Sequence, residues 1–104
     1  RPSRRSTARC PQRPQTMRHL FVLDPLDRLH TASDSSIAFV REAWGRGDVV
    51  ETCEIGDLGQ RDGVPFARAA VTTAGEEQNR WCTTERPQRT ELAAYDVVWM
   101  RKDP

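Results

Sequence analysis

Leu20-Phe21-Val22-Leu23-Asp24-Pro25, followed by Asp34-Ser35-Ser36-Ile37-Ala38-Phe39-Val40 and then by Val49-Val50-Glu51-Thr52-Cys53-Glu54, decides the fold. The apolar run 20–23 is short and continuous, which suits a central strand buried on both faces. Asp24-Pro25 ends it, because proline has no N–H for a ladder and holds the residue before it extended. Ser33 or Asp34 is a natural N-cap. Ile37-Ala38-Phe39-Val40 with Ala43-Trp44 gives a helix an apolar face at spacings of three and four, and Gly45 and Gly47 stop it. Residues 49–54 then read as a second strand parallel to the first, joined to it by a right-handed crossover. A strand–helix–strand unit over 19–54 makes the chain α/β.

Working outward, Tyr95-Asp96-Val97-Val98-Trp99-Met100 is a further β-prone run, read as a buried strand. Arg101, Lys102 and Asp103 sit at its carboxyl end, where open α/β sheets place their ligand crevice. Between the two regions, Asp62-Gly63 signals a hairpin over 57–73, set at the sheet edge so that Pro65 is tolerated. Residues 74–91 are polar and loop-like around Pro87, and Trp81 reads as the residue that pins this loop to the body. Glu91-Leu92-Ala93-Ala94 is one helical turn before the closing strand.

Composition narrows the function. The 104 residues make one small domain, and 37% hydrophobic content is polar but globular. A net charge of +1 hides a split: residues 1–18 hold six arginines and no acid, while 19–104 set ten basic residues against fifteen acids, a balance of −5. That mildly acidic body does not present the basic face of a nucleic-acid binder. Residues 1–18 form a disordered basic leader, since a segment with this much arginine and proline buries too little to order itself. A targeting peptide, an electrostatic arm, or sequence upstream of a true start at Met17 would each fit it, the last best, because the apolar pattern begins directly after Met17. Cys10, Cys53 and Cys82 follow no disulfide or zinc pattern, which suits a reducing, cytoplasmic setting. No apolar run approaches a membrane span of about 18 residues.

Few residues carry chemistry. His19 reads as an exposed strand entrance, and the acid pairs Glu76–Glu77 and Asp24–Asp27 as solvated charge. No glycine-rich phosphate loop follows the first strand, so a dinucleotide fingerprint is absent. The constellation that physics supports is spatial: Asp24, Ser35 and Ser36 in the first turn of the helix, and Arg101, Lys102 and Asp103 could meet at one sheet edge. A guanidinium there would hold a carboxylate in bidentate fashion. A solvated strand end is the plain alternative for Arg101 and Lys102, and simple helix capping for the serines. A receiver-type regulator is disfavoured, because a hairpin stands where its acceptor strand would be.

The islands V-L-D-P (22–25), D-S-S before an apolar helix (34–40), E-I-G-D-L (54–58) and D-V-V-W-M-R-K-D-P (96–104) resemble the amino-terminal domain of prokaryotic glutathione synthetase. The resemblance covers 19–104 in order. It implies a pre-ATP-grasp (Rossmann-like) domain, a parallel sheet with helices and an edge β-hairpin. It implies an enzyme that joins γ-glutamylcysteine to glycine with ATP and Mg2+, through an acyl phosphate. It places Arg101 on the substrate side, facing a carboxylate of γ-glutamylcysteine or glutathione, with Asp24, Ser35, Ser36 and Lys102 lining the same face. Ser33 stands where relatives often carry lysine. The ATP-grasp module lies beyond Pro104 in the family, so 19–104 is expected to be an incomplete domain, inactive alone and without its own ATP or metal site, within an enzyme that could be a homo-oligomer. A non-catalytic binding or docking module, or the amino-terminal domain of another ATP-grasp ligase, are the other expectations.

Overall fold

The computed structural model describes residues 16–29, 34–75 and 80–101. The basic leader up to residue 15, His30, Ser33, Glu76, Glu77, Lys102 and Asp103 lie outside them.

The expected central strand is β1 (Arg18–Val22), which takes in Arg18, read above as the end of the leader, because it pairs with Val49; the apolar run is sealed, with Leu20, Phe21 and Val22 wholly buried. β2 (Val49–Cys53) lies parallel on one side and β7 (Val97–Met100) parallel on the other. The crossover from β1 to β2 carries α1 (Ser35–Gly45), whose buried positions Ile37, Val40 and Ala43 recur at three-residue intervals. Asp34 is its N-cap, its carboxylate accepting from the Ser36 N–H at 2.8 Å. Among the described residues this is the one α-helix; short 3-10 turns at Leu26–Arg28, Ile55–Asp57 and Leu92–Ala94 complete the helical content.

The expected hairpin is β3 (Leu58–Arg61) with β4 (Val64–Ala74). Asp62 and Gly63 both take positive φ, 54° and 82°, which is the two-residue turn whose twist matches the strands. The hairpin is not confined to the sheet edge. β4 is a long hub: its first half pairs with β3 and with β6 (Gln88–Glu91), its second with β2 and with β5 (Cys82–Thr84). Pro65 is accommodated because the β6 pairing begins one residue later, at Phe66. The sheet is therefore mixed, in the order β3-β4-β2-β1-β7, with the three parallel strands β2, β1 and β7 at one end of the path and antiparallel pairing at the other.

Two readings need correction. The segment read as loop contains β5 and β6, whose polar side chains are mostly exposed and so carry no apolar pattern. The closing strand is the outer strand of the path rather than a buried one. Its exposure alternates, with Val98 and Met100 at 40% and 58%. The exposed positions are those that point to the face away from α1.

The core splits between the two faces of the sheet. Phe21, Leu23 and Val50 pack with Val40 and Ala43 of α1, joined by Trp44, Trp81 and Trp99. Leu20, Val22 and Cys53 pack on the opposite face with Ala67, Ala69 and Tyr95. Trp81 does pin its segment: the indole N–H donates to the Leu26 carbonyl at 3.3 Å and the ring packs on Trp44.

Candidate functional site

The carboxyl ends of β7 and β1 and the first turn of α1 converge. The Arg101 backbone N–H donates to the Val22 carbonyl at 2.9 Å, extending the β1–β7 ladder one residue past Met100 and fixing where the side chain departs. From there the guanidinium lies along α1. Its Nη2 donates to Ser35 Oγ at 2.6 Å and its Nε to Ser36 Oγ at 3.3 Å. Its carbon sits 4.8 Å from the centroid of the Phe39 ring. Ser35 and Ser36 precede Phe39 by four and three residues, so one helix face presents two hydroxyls and a ring.

Arg101, Ser35 and Ser36, three of the residues singled out by sequence, are thus in direct contact. The serines differ in exposure: Ser36 is buried and Ser35 is at the surface. Asp24 stands on the same carboxyl edge, two residues past β1, but lines a separate hollow of about 170 Å³ with Thr52, Cys53, Glu54, Asp57 and Arg68. Glu54 and Asp57 in that hollow cap the 3-10 turn between them, each side chain accepting from the other's backbone N–H. The Cys53 thiol beside them is pushed up to about 11 by burial and by these two acids, which keeps it protonated and inert at neutral pH. Lys102 and Asp103 lie outside the described residues.

His19 overturns its expected role. It is buried rather than exposed, because Asp48 and Trp99, distant in sequence, close over it. The Trp99 indole N–H can only donate, and it does so to His19 Nδ1 at 3.1 Å; Nε2 therefore donates to the Asp48 carboxylate at 2.8 Å. Asp48 is held below the usual carboxylate range by this hydrogen bond and by one from the Met17 N–H. Among the described residues no serine or cysteine hydrogen-bonds to the pair, and its work is to tie Asp48, just ahead of β2, and Trp99 of β7 to β1. Phe39 was the residue missed. Its apolar character assigns it to the core, yet it is 38% exposed, and its three- and four-residue spacing from the two serines was the signal available.

Among the described residues no group of three or more His, Cys, Asp or Glu side chains could hold a metal ion, and no helix is long and apolar enough to cross a membrane. What the fold and this edge define is a class: an α/β domain that sets an oriented arginine at the carboxyl ends of its parallel strands. A family profile described as the N-terminal domain of prokaryotic glutathione synthetase matches residues 17–104, and the chain belongs to that family. It is 41% identical over 88 residues to the glutathione synthetase of Parasynechococcus marenigrum (strain WH8102), covering 85% of this chain and 27% of that protein. It is 37% identical over 84 residues to that of Vibrio vulnificus (strain CMCP6), covering 81% and 26%, and 35% identical over 88 residues to that of Gloeobacter violaceus (strain ATCC 29082 / PCC 7421), covering 85% and 27%. The chain spans about a quarter of the length of the curated relatives it matches.

Proposed function

We propose that this chain is the substrate-side part of a glutathione synthase, serving the ATP-dependent ligation of γ-glutamylcysteine with glycine in the cytoplasm. In this reading the chain orients the dipeptide and does no phosphoryl transfer itself. ATP and Mg2+ belong to the ATP-grasp portion of the family enzyme, which corresponds to the part of the relatives that this chain does not span. The observation that carries the reading is the arrangement of Arg101. Ser36 and Ser35 accept from Nε and from one Nη2 hydrogen, so Nη1 and the second Nη2 hydrogen form the pair that takes a carboxylate. The serines fix one edge of the fork, so part of its rotamer freedom is already given up before binding. Lys102, next after Arg101 in the chain, and Asp24, two residues past β1, are the further candidates for the substrate side. Holding the dipeptide in line for transfer is the larger part of catalysis in such chemistry.

The test is a graft. Residues 17–104 replace the corresponding amino-terminal quarter of the Parasynechococcus marenigrum enzyme, and dipeptide and ATP kinetics are measured. ATP-dependent glutathione formation is expected. Arg101→Ala should raise the KM for γ-glutamylcysteine about tenfold or more, the size of a lost charged hydrogen bond, with the KM for ATP unchanged. Equal dipeptide kinetics for the graft and its Arg101→Ala variant would remove Arg101 from the substrate site. A folded but inactive graft would turn the reading toward a binding or docking module.

A further inference from the structure

The Phe39 ring has two partners. Arg101 lies 4.8 Å from its centroid, and Trp99 stacks against it at 5.4 Å and 20°. Trp99 in turn stacks on Phe21 at 5.3 Å and 2°, and Phe21 is wholly buried. The indole cannot slide along this column, because its N–H is committed to His19, itself fixed by Asp48. A column of three rings thus runs from the core of the sheet to the guanidinium.

We propose that Phe39 is a positioning residue, its ring, backed by Trp99, setting the plane in which the Arg101 guanidinium meets a substrate carboxylate. The proposal rests on the function proposed above and adds to it. The two serine hydroxyls fix one edge of the guanidinium but leave it free to swing about that edge. A ring face under the cation removes the swing, because the flat guanidinium is most stable when laid over the negative face of the ring. The geometry also explains why a large apolar residue of α1 stays 38% exposed beside the cation.

The test uses the chain as it stands, with glutathione as the probe. In the unliganded protein, the Arg101 Nε–H resonance should be displaced upfield by the ring beneath it. Phe39→Leu should abolish the displacement and Phe39→Tyr restore it. Glutathione titrated against the same three proteins should bind wild type and Phe39→Tyr alike and Phe39→Leu about threefold more weakly, as the loss of an exposed cation–π contact would give. Leucine at a half-exposed position keeps the helix, and the amide spectrum of each variant checks that. An Arg101 resonance unmoved by Phe39→Leu, or equal affinity of that variant and wild type, overturns the proposal. Failure of the wild type itself to bind glutathione instead overturns the function proposed above, and with it the positioning role of Phe39.

Discussion

A single carboxylate shows how a small core tolerates charge. Glu51 is 3% exposed at the centre of β2, where an unpaired carboxylate would cost several kcal/mol. It is satisfied at both oxygens: Arg18 Nε donates to one at 2.6 Å and the Tyr95 hydroxyl to the other at 2.6 Å, while Arg18 also lies over the Tyr95 ring. Burial, the bond to Glu51 and that carboxylate's charge all raise the Tyr95 phenol above its ordinary value near 10. The sign follows. The unfolded phenol ionises near pH 10 and the folded one does not, so the stability this adds is complete below pH 10 and is lost as pH climbs beyond it. Tyr95→Phe should cost about 1–3 kcal/mol at pH 7, since one Glu51 oxygen loses its donor. It should also flatten the alkaline loss above pH 10, leaving the earlier loss that Cys53 imposes as pH rises from 9 to about 11. Urea melts of the two proteins at intervals between pH 7 and 11 decide it; parallel curves would mean that Tyr95 is not the alkaline sensor.

Elements rest on fewer residues than their length suggests. The β3–β4 hairpin depends on Gly63, whose φ of 82° suits glycine and strains any residue with a Cβ, although the space around it is open. Gly63→Ala should therefore destabilise by about 1 kcal/mol through backbone strain alone, and Asp62→Asn should be near neutral, because asparagine tolerates the left-handed region. A Gly63→Ala protein melting with the wild type would mean that the turn relaxes to another type. In α1 the cap has a second duty: it fixes the turn on which Ser35 and Ser36 meet Arg101. Asp34→Ala should cost about 1 kcal/mol of stability and also weaken glutathione binding, whereas a change in stability with unaltered affinity would separate cap from site. These elements were legible in the sequence because each announces itself locally: Asp62-Gly63 between apolar runs, Asp34 ahead of a periodic face, a continuous apolar run at 20–23. β5 and β6 were not, since Cys82-Thr83-Thr84 and Gln88-Arg89-Thr90-Glu91 owe their strand state to β4 rather than to a pattern of their own. The meeting of Arg101 with Ser35 and Ser36 was legible to the same degree. Arg101, Ser35 and Ser36 follow from strand end and helix start. The burial of His19 depends on Asp48 and Trp99, 29 and 80 residues away, and no local pattern reports it.

At the scale of the whole molecule, the site and the weakest edge of the sheet belong to the same strand. Arg101 reaches serines 65 and 66 residues earlier in the chain, so the site exists only while β7 stays docked on β1. Among the described strands β7 pairs with β1 alone, and on the face turned away from α1 it exposes Val98 and Met100. An outer strand with apolar side chains and an open row of backbone groups is a template for a second chain. The chain should therefore associate as its concentration rises, through β7. Met100 is the position at which to intervene, because it is 58% exposed and a lysine there adds edge charge without emptying the core. Met100→Lys should shift the protein toward monomer in sedimentation at high concentration. Its melting temperature should change little, and the Arg101 Nε–H resonance should stay in place, since Arg101 and Trp99 lean toward α1 and Met100 does not. If Met100→Lys instead sediments as the wild type does while the wild type self-associates, β7 is not the sticky edge, and the outer strand β3 becomes the one to charge next.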